Sequence, residues 1–126
     1  MNLKRRLFQL LGKVPEKVIP TKNFMKMDTD SKVKELNQID ESHKKFQYEI
    51  KSVPKEKIAG TQTRLHESTL NKYANYHKSH GYHPRHQLPT AIYHGGMYHV
   101  WDGHHRVAAE IKNGHKSVTL LTRKGV

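Results

Sequence analysis

One segment decides the fold of this chain, and it reads VWDGHHRVAA from Val100 to Ala109. Its first residues continue a strand, Gly103 forms a tight turn, and a helix is expected to begin directly after the glycine. A helix N-terminus exposes free backbone N–H groups and the positive end of the helix dipole, so it holds anions well. Arg106 adds a planar, permanently charged guanidinium that suits phosphate. The segment therefore predicts a phosphate-binding turn at Asp102–Arg106.

The polar side chains of this turn each allow two interpretations. Asp102 can cap the helix, or it can serve as a catalytic group and metal ligand, and these roles are compatible. His104 and His105 can donate hydrogen bonds to phosphate or carry protons, the alternative being that they are ordinary exposed histidines. Arg106 is expected to bind phosphate, the alternative being an ion pair with Glu110 one helical turn further on.

The turn belongs to a regular succession of strands and helices. Alternating apolar residues predict a strand that begins at Phe46, and Gly95-Gly96 predicts a tight hairpin because both positions need positive φ. The order strand, helix, hairpin, helix, strand gives a small α+β domain. The predicted elements are Phe46–Ile50, Glu67–His80, Thr90–His94, Met97–Asp102, Gly103–Asn113 and Ser117–Leu121.

The chain divides into two parts near residue 45. Residues 1–45 show little apolar order beyond their first turns, and residues 46–126 hold the predicted elements. Leucines between Leu3 and Leu11 share one helical face, which predicts a short helix that packs on this protein or a partner; the alternative is a membrane-surface helix. We expect a basic, partly helical or mobile extension at 1–45 and a domain at 46–126.

Composition excludes several classes of function. The 126 residues include no cysteine, which rules out disulfides, cysteine-based zinc sites and a thiol nucleophile. Lys and Arg number 23 against 11 Asp and Glu, a formal charge of +12, so polyanions are the expected partners. No apolar run is long enough to span a membrane and no secretion signal is visible, so we expect a cytoplasmic protein.

A long stretch without acidic residues, from Ser68 to Trp101, indicates a surface that faces anions; the alternative is an uneven surface without a role. The residues predicted to contact DNA there are Lys72, Lys78, Arg85 and His86. Four histidines recur at every third position, namely His77, His80, His83 and His86. They can form a metal site, contact a nucleic-acid backbone from a flexible loop, or have no specific role.

The turn at Asp102–Arg106 resembles the signature of the ParB/sulfiredoxin superfamily, in which a glycine, two variable polar residues and an arginine open a helix. Further segments similar to the superfamily's elements follow its order. They are Val53-Pro54 with Ile58, the triplet Gln62-Thr63-Arg64, the helix that starts at Glu67 and ends in glycine, and Leu88–Ile92. The resemblance covers roughly residues 48–122. It implies a ParB/sulfiredoxin-like mixed sheet with helices.

The resemblance also implies ligands and site residues. ParB-like members bind CTP at the glycine–arginine turn and bind DNA, and some are described as nucleases. The implied cofactors are a nucleotide, CTP or ATP/ADP, and Mg²⁺. The phosphate or nucleotide ligands carried over are Gly103, His104, His105, Arg106, Gln62 and Arg64. The catalytic candidates are Asp102, His104 and His105, with Asp102 also the candidate metal ligand.

Three functions follow from these observations. The first is a nucleotide-binding, DNA-associated protein, extended by a metal-dependent nuclease activity if hydrolysis occurs. The second is a small phosphotransferase, because the sequence Asp102–Arg106 is similar to a branch of the superfamily that phosphorylates free serine. The third is a non-catalytic DNA-binding or assembly protein. Sulfiredoxin activity is excluded, since His104 stands where sulfiredoxins carry their cysteine. A small basic protein of this kind suits a phage or plasmid.

Overall fold

The computed structural model describes residues 17–42, 46–80 and 88–125 of the chain. These residues form eight strands and three α-helices, with single 3-10 turns before β2 and β4. In chain order they are β1 (Val18–Pro20), β2 (Lys26–Met27), α1 (Asp30–Glu41), β3 (Phe46–Pro54), β4 (Ile58–Gly60), β5 (Arg64–His66), α2 (Glu67–His80), β6 (Thr90–His94), β7 (Met97–Asp102), α3 (His104–Lys112) and β8 (Ser117–Gly125).

Six of the strands form one mixed sheet in the order β2-β4-β7-β6-β8-β3, and β1 pairs with β5 in a separate two-stranded sheet. Neighbours β2 and β4, β4 and β7, and β6 and β8 are parallel, whereas β6 and β7, and β3 and β8, are antiparallel. This arrangement confirms the predicted α+β class and the order strand, helix, hairpin, helix, strand. Helix α1 and the short strands β1, β2, β4 and β5 are additional to that order.

The sheet carries helices on both faces. In the central strands, Ala91 lies opposite Val100 and Ile92 lies opposite His99, so these two pairs point to opposite faces. Ala91 and Val100 belong to the main hydrophobic core, which also includes fully buried residues of α2 and α3: Leu70, Val107 and Ala108. On the other face Ile92 is fully buried, as is Leu36 of α1. The Arg123 guanidinium of β8 donates to Asp40 of α1 at 2.7 Å, which places α1 on that face.

Helices α2 and α3 run side by side in the same direction. Near the start of α2, the His66 N–H donates to His105 at the start of α3. Further along, the Lys112 ammonium donates to the Asn71 side chain at 2.6 Å, and the Asn113 amide donates to the Ala74 carbonyl at 2.8 Å. Both helices therefore begin at the same end of the domain. No helix in the described part of the chain is both long and apolar enough to cross a membrane.

Residues 17–42, which fall within the expected extension at 1–45, pack against the domain that begins at residue 46. Strand β1 pairs with β5, and β2 extends the main sheet beside β4. Met25 and Leu36 are buried, and the buried carboxylate of Asp28 lies 2.7 Å from Nδ1 of His99 on β7. Ile19 and Phe24 also pack against the core. These apolar residues are too widely and irregularly spaced to produce a recognisable period in the sequence. The predicted helix at the leucines of residues 3–11 lies outside the described residues.

Candidate functional site

The turn between β7 and α3 requires glycine at position 103 for two reasons. Gly103 occupies the N-cap position of α3 with φ +88° and ψ +31°, a left-handed conformation that other residues rarely adopt. A Cβ atom at this position would lie 2.8 Å from Nη2 of Arg106 and 2.9 Å from Cβ of Pro89. The turn is therefore both left-handed and tightly enclosed.

The guanidinium of Arg106 folds back over this turn. Its Nη2 atom lies 3.7 Å from Oδ2 of Asp102, and the side chains of Arg106 and Asp102 are 15% and 78% exposed. Because Gly103 is the N-cap, it offers no side chain to cap the helix, and the predicted capping role of Asp102 falls one residue too early. Backbone N–H groups of the first helical turn and a guanidinium thus meet at one corner, beside an exposed carboxylate. An anion would find both kinds of donor there.

The surroundings of His104 contradict its predicted role as a hydrogen-bond donor to phosphate or a proton carrier. Its residue is only 4% exposed, and its Nε2 atom accepts hydrogen bonds from the N–H groups of Thr61 at 3.0 Å and Gln62 at 3.2 Å. A ring nitrogen that accepts carries no proton, so this imidazole is neutral. Burial, assisted by the neighbouring charge of His105, lowers the pKa of His104 to about 4. His104 holds the backbone of residues 61–62 against the start of α3.

His105 has a similar attachment to the next part of the same segment. Its Nε2 atom accepts a hydrogen bond from the His66 N–H at 2.9 Å, and its ring stacks on the His66 ring with centroids 5.8 Å apart. Nε2 therefore serves the protein backbone and is not available to donate to a ligand. The two adjacent histidines fasten residues 61–66 to the N-terminus of α3. A phosphate-binding or proton-transfer role of His105 would have to use its Nδ1 atom.

The Gln62 backbone lies at the start of α3, where its N–H donates to His104, and Arg64 follows two residues later on β5. Both residues are exposed, and the Gln62 amide donates to the Arg64 carbonyl at 2.6 Å. Sequence reasoning missed Thr61, whose hydroxyl donates to the Val100 carbonyl at 2.7 Å and so ties this segment to β7. The only sequence signal for Thr61 is its place immediately before Gln62.

The basic residues predicted for DNA are only partly described. Lys72 and Lys78 are exposed on α2, whereas Arg85 and His86 lie outside the described residues. In the histidine series, His77 is 4% exposed and His80 stacks on the Tyr76 ring at 4.2 Å, whereas His83 and His86 lie outside the described residues. Burial lowers the pKa of His77. Within the described residues, no group of three or more His, Asp or Glu side chains is arranged to hold a metal ion.

Comparisons with known proteins agree with this geometry at the level of the fold. No protein-family profile and no curated protein matches the chain. A crystal structure of the chromosome-partitioning protein ParB from Caulobacter crescentus, complexed with CTP-γ-S, matches with a TM-score of 0.52 and 19% identity, over 62% of this chain and 46% of that one. Sulfiredoxin from Arabidopsis thaliana matches with a TM-score of 0.52 and 23% identity, over 61% of this chain and 86% of that one.

The two matches cover different fractions of the matched proteins. This chain spans less than half the length of the ParB structure but most of the sulfiredoxin. Both identities are low, so the similarity is one of backbone architecture. The chain therefore has the ParB/sulfiredoxin-like fold that its sequence predicted.

Proposed function

We propose that this chain binds a nucleotide through its phosphates at the turn Asp102–Arg106 and associates with DNA. The observation that carries the proposal is the position of the Arg106 guanidinium, which lies directly over Gly103 at the start of α3. A phosphate at this corner would meet the helix N-terminus and a planar cation together. Guanidinium and first-turn N–H groups are the donors that phosphate oxygens prefer.

The surrounding residues support a ligand larger than a single phosphate. Gln62 and Arg64 are exposed on the segment that His104 and His105 hold beside the helix start. Arg64 can reach a second phosphate, and the Gln62 amide can contact a sugar or base. A ParB of the same fold was crystallised with CTP-γ-S, which favours a nucleoside triphosphate as the ligand class.

DNA association is proposed from charge. The chain has a formal charge of +12, and Lys72 and Lys78 are exposed on α2, next to α3 in the same layer. Lysines of this kind contact phosphates without reading sequence. We therefore expect binding that is salt-dependent and that does not require base-specific contacts.

Phosphoryl chemistry is a second candidate, favoured by one observation. The Asp102 carboxylate is 78% exposed and lies 3.7 Å from Arg106, so it stands at the mouth of the proposed phosphate site. One carboxylate fits the usual manner of holding Mg²⁺, in which nucleotide phosphates and waters supply the remaining ligands. The metal would neutralise phosphate charge when bound. Asp102 could also orient an attacking hydroxyl, as in hydrolysis of a nucleic acid or transfer to a small alcohol.

Calorimetric titration with CTP, ATP and ADP, with and without Mg²⁺, tests the binding proposal. Arg106→Ala is expected to lower the affinity at least about tenfold, because it removes a charge-assisted hydrogen-bond donor. Lys116→Ala is the matched control, since it removes one exposed positive charge beyond the opposite end of α3. Circular dichroism of both variants checks that the fold is retained.

The outcomes separate the two candidates. Equal affinity of the wild type and Arg106→Ala for all three nucleotides would refute the phosphate site. If binding is observed, plasmid nicking and serine-dependent nucleotide turnover are measured in Mg²⁺ or Mn²⁺ for the wild type and Asp102→Asn. Activity that Asp102→Asn loses while it keeps nucleotide affinity supports phosphoryl chemistry. A wild type without either activity leaves a non-catalytic binding protein.

A further inference from the structure

Strand β3 forms one edge of the main sheet. It pairs with β8 over its full length, from Phe46 opposite Gly125 to Pro54 opposite Ser117. On its outer side, no strand from the described part of the chain pairs with it. An edge strand of nine residues presents a row of backbone donors and acceptors, and such a strand readily pairs with another chain. Natural proteins usually keep their edge strands short, interrupt them with a bulge or cover them.

The exposed side chains of this strand are unusual for a surface. Every residue from Gln47 to Ser52 is exposed, although neighbouring β8 is at most half-exposed at Leu120–Arg123. The large hydrophobic residues that are exposed in the described chain are Val18, Tyr48 and Ile50. Tyr48 is 63% and Ile50 is 39% exposed, and alternation places both on the same face of β3. These two side chains form an apolar pair at a sheet edge that no strand of the described residues covers.

The charged residues of β3 favour one register of pairing between two copies of this strand. If a second copy of β3 pairs antiparallel about a two-fold axis through Ile50, each Glu49 lies opposite Lys51 of the other copy. Each Tyr48 then lies diagonally next to Ile50 of the other copy, which buries the exposed apolar pair. Moving the axis by one residue would place two Glu49 or two Lys51 residues opposite each other, which is repulsive.

We infer that β3 is a homodimerisation edge, at which two copies of this chain pair antiparallel about Ile50 and join their sheets into one. The occupant of the edge is thus a second copy of the same chain. The residues involved do not belong to the turn at Asp102–Arg106, so this inference holds or fails independently of nucleotide binding.

A cross-linking experiment tests the axis directly. The chain has no cysteine, so a single substitution introduces one thiol per chain. Two residues on the axis would have Cα atoms about 4.5–5.5 Å apart, within the span of a disulfide. Ile50→Cys is therefore expected to give mostly covalent dimer on mild oxidation. Ser52→Cys is the matched control on the same strand face, because its two copies would lie roughly 13 Å apart along the strands.

A charge-reversal experiment tests the register without a covalent bond. Sedimentation equilibrium of the wild type is expected to give twice the chain mass of 14.7 kDa at micromolar concentration. Glu49→Lys alone and Lys51→Glu alone each place like charges opposite each other twice, and each is expected to weaken the dimer about tenfold or more. An equimolar mixture of the two variants restores two attractive pairs and is expected to dimerise again.

The mixture also controls for a second effect of Lys51→Glu, which acts within a single chain. In the single chain the Lys51 ammonium lies 5.6 Å from the centroid of the Tyr98 ring, so Lys51→Glu also removes a contact within the chain. Recovery on mixing arises only if residues 49 and 51 of two copies face each other. Glu56→Lys, an exposed reversal outside β3, controls for net charge.

Several results would overturn the inference. A monomeric wild type up to millimolar concentration would show that this edge has another occupant or none. A dimer that is insensitive to both reversals, or that Ser52→Cys cross-links as efficiently as Ile50→Cys, would show that the two copies meet elsewhere or in another register. Failure of the mixed variants to associate, when each single variant is folded and monomeric, would contradict the pairing of Glu49 with Lys51.

Discussion

Nε2 of His104 lies 3.0 Å from the backbone nitrogen of Thr61, and this hydrogen bond joins residues that are 43 positions apart in the chain. The same nitrogen also accepts from the Gln62 N–H. His105 completes the attachment at His66. The adjacent histidines that look catalytic in the sequence thus position one wall of the proposed phosphate site, and Arg106 is left as its cation.

The first prediction follows from this attachment. His104→Ala is expected to lower the free energy of unfolding by about 2–3 kcal/mol, because two partly buried backbone N–H groups lose their acceptor and a buried side chain is removed. Urea denaturation followed by circular dichroism measures the change. His80→Ala, at an exposed histidine of α2, is the control and is expected to change stability by less than about 0.5 kcal/mol. A catalytic His104 would give the reverse pattern, with stability kept and activity lost.

The degree to which the sequence predicted this molecule depends on the length of each signal. Fourteen residues of helical periodicity predicted α2 with its observed bounds, Glu67–His80. The diglycine turn was equally informative, since Gly95 and Gly96 adopt φ +62° and +83°. Strands of three residues such as Arg64–His66 are too short to show a period, so they were missed.

In the candidate site, too, the sequence predicted some features and missed others. The phosphate-binding role of Arg106 stays a prediction. The left-handed turn at Gly103 was predictable because such a turn demands glycine. The roles of His104 and His105 were not, because the sequence does not show which distant backbone N–H faces an imidazole. The pair of Asp28 with His99, separated by 71 positions, was invisible for the same reason.

The second prediction concerns pH and the buried carboxyl of Glu110. Burial raises the pKa of Glu110 from 4.5 to about 7, so the folded chain binds more protons than the unfolded chain between these values. Its contribution to stability is therefore present below pH 4.5 and is lost as pH rises to about 7. His104 acts in the opposite direction: its lowered pKa removes stability as pH falls from 6.5 to about 4.

These two effects oppose each other in the wild type, and Glu110→Gln separates them. Relative to the wild type, this variant is expected to gain stability by about 3 kcal/mol as pH rises from 4.5 to 7, the equivalent of its shift in pKa. Urea midpoints measured across this range give the slope. Parallel pH profiles of wild type and variant would show that the carboxyl, whose Oε1 lies 3.5 Å from Nδ1 of His115, titrates alike in the folded and unfolded chains.

The third prediction distinguishes two costs of an alanine at Gly103: the cost of the left-handed backbone conformation and the cost of steric contact with neighbouring atoms. Gly103 and Gly114 flank the same helix with nearly equal φ values, +88° and +90°. A Cβ at Gly114 would meet no atom within 4 Å, whereas at Gly103 it would crowd Pro89 and Arg106. Gly114→Ala should therefore cost about 1–2 kcal/mol for the left-handed conformation alone.

Gly103→Ala is expected to cost more than Gly114→Ala and also to weaken nucleotide binding, because the methyl group displaces the Arg106 guanidinium. Thermal unfolding and the calorimetric titration described above measure both effects. Gly114→Ala should bind nucleotide like the wild type. Equal costs for the two variants would contradict the tight packing of Pro89 on Gly103.

The fourth prediction concerns the lysines of α2 and uses salt to identify their role. If Lys72 and Lys78 contact DNA phosphates, each releases about one counterion on binding. The double variant Lys72→Glu/Lys78→Glu is then expected to reduce the slope of log affinity against log salt concentration by about 2, with similar losses on unrelated duplexes. Fluorescence anisotropy with two duplexes of different sequence measures both quantities.

The control is Lys22→Glu/Lys34→Glu, which reverses the same number of charges at exposed positions in the segment of β1 to α1. A uniform loss in both double variants would assign DNA affinity to net charge rather than to α2, and a loss on one duplex alone would indicate base contacts.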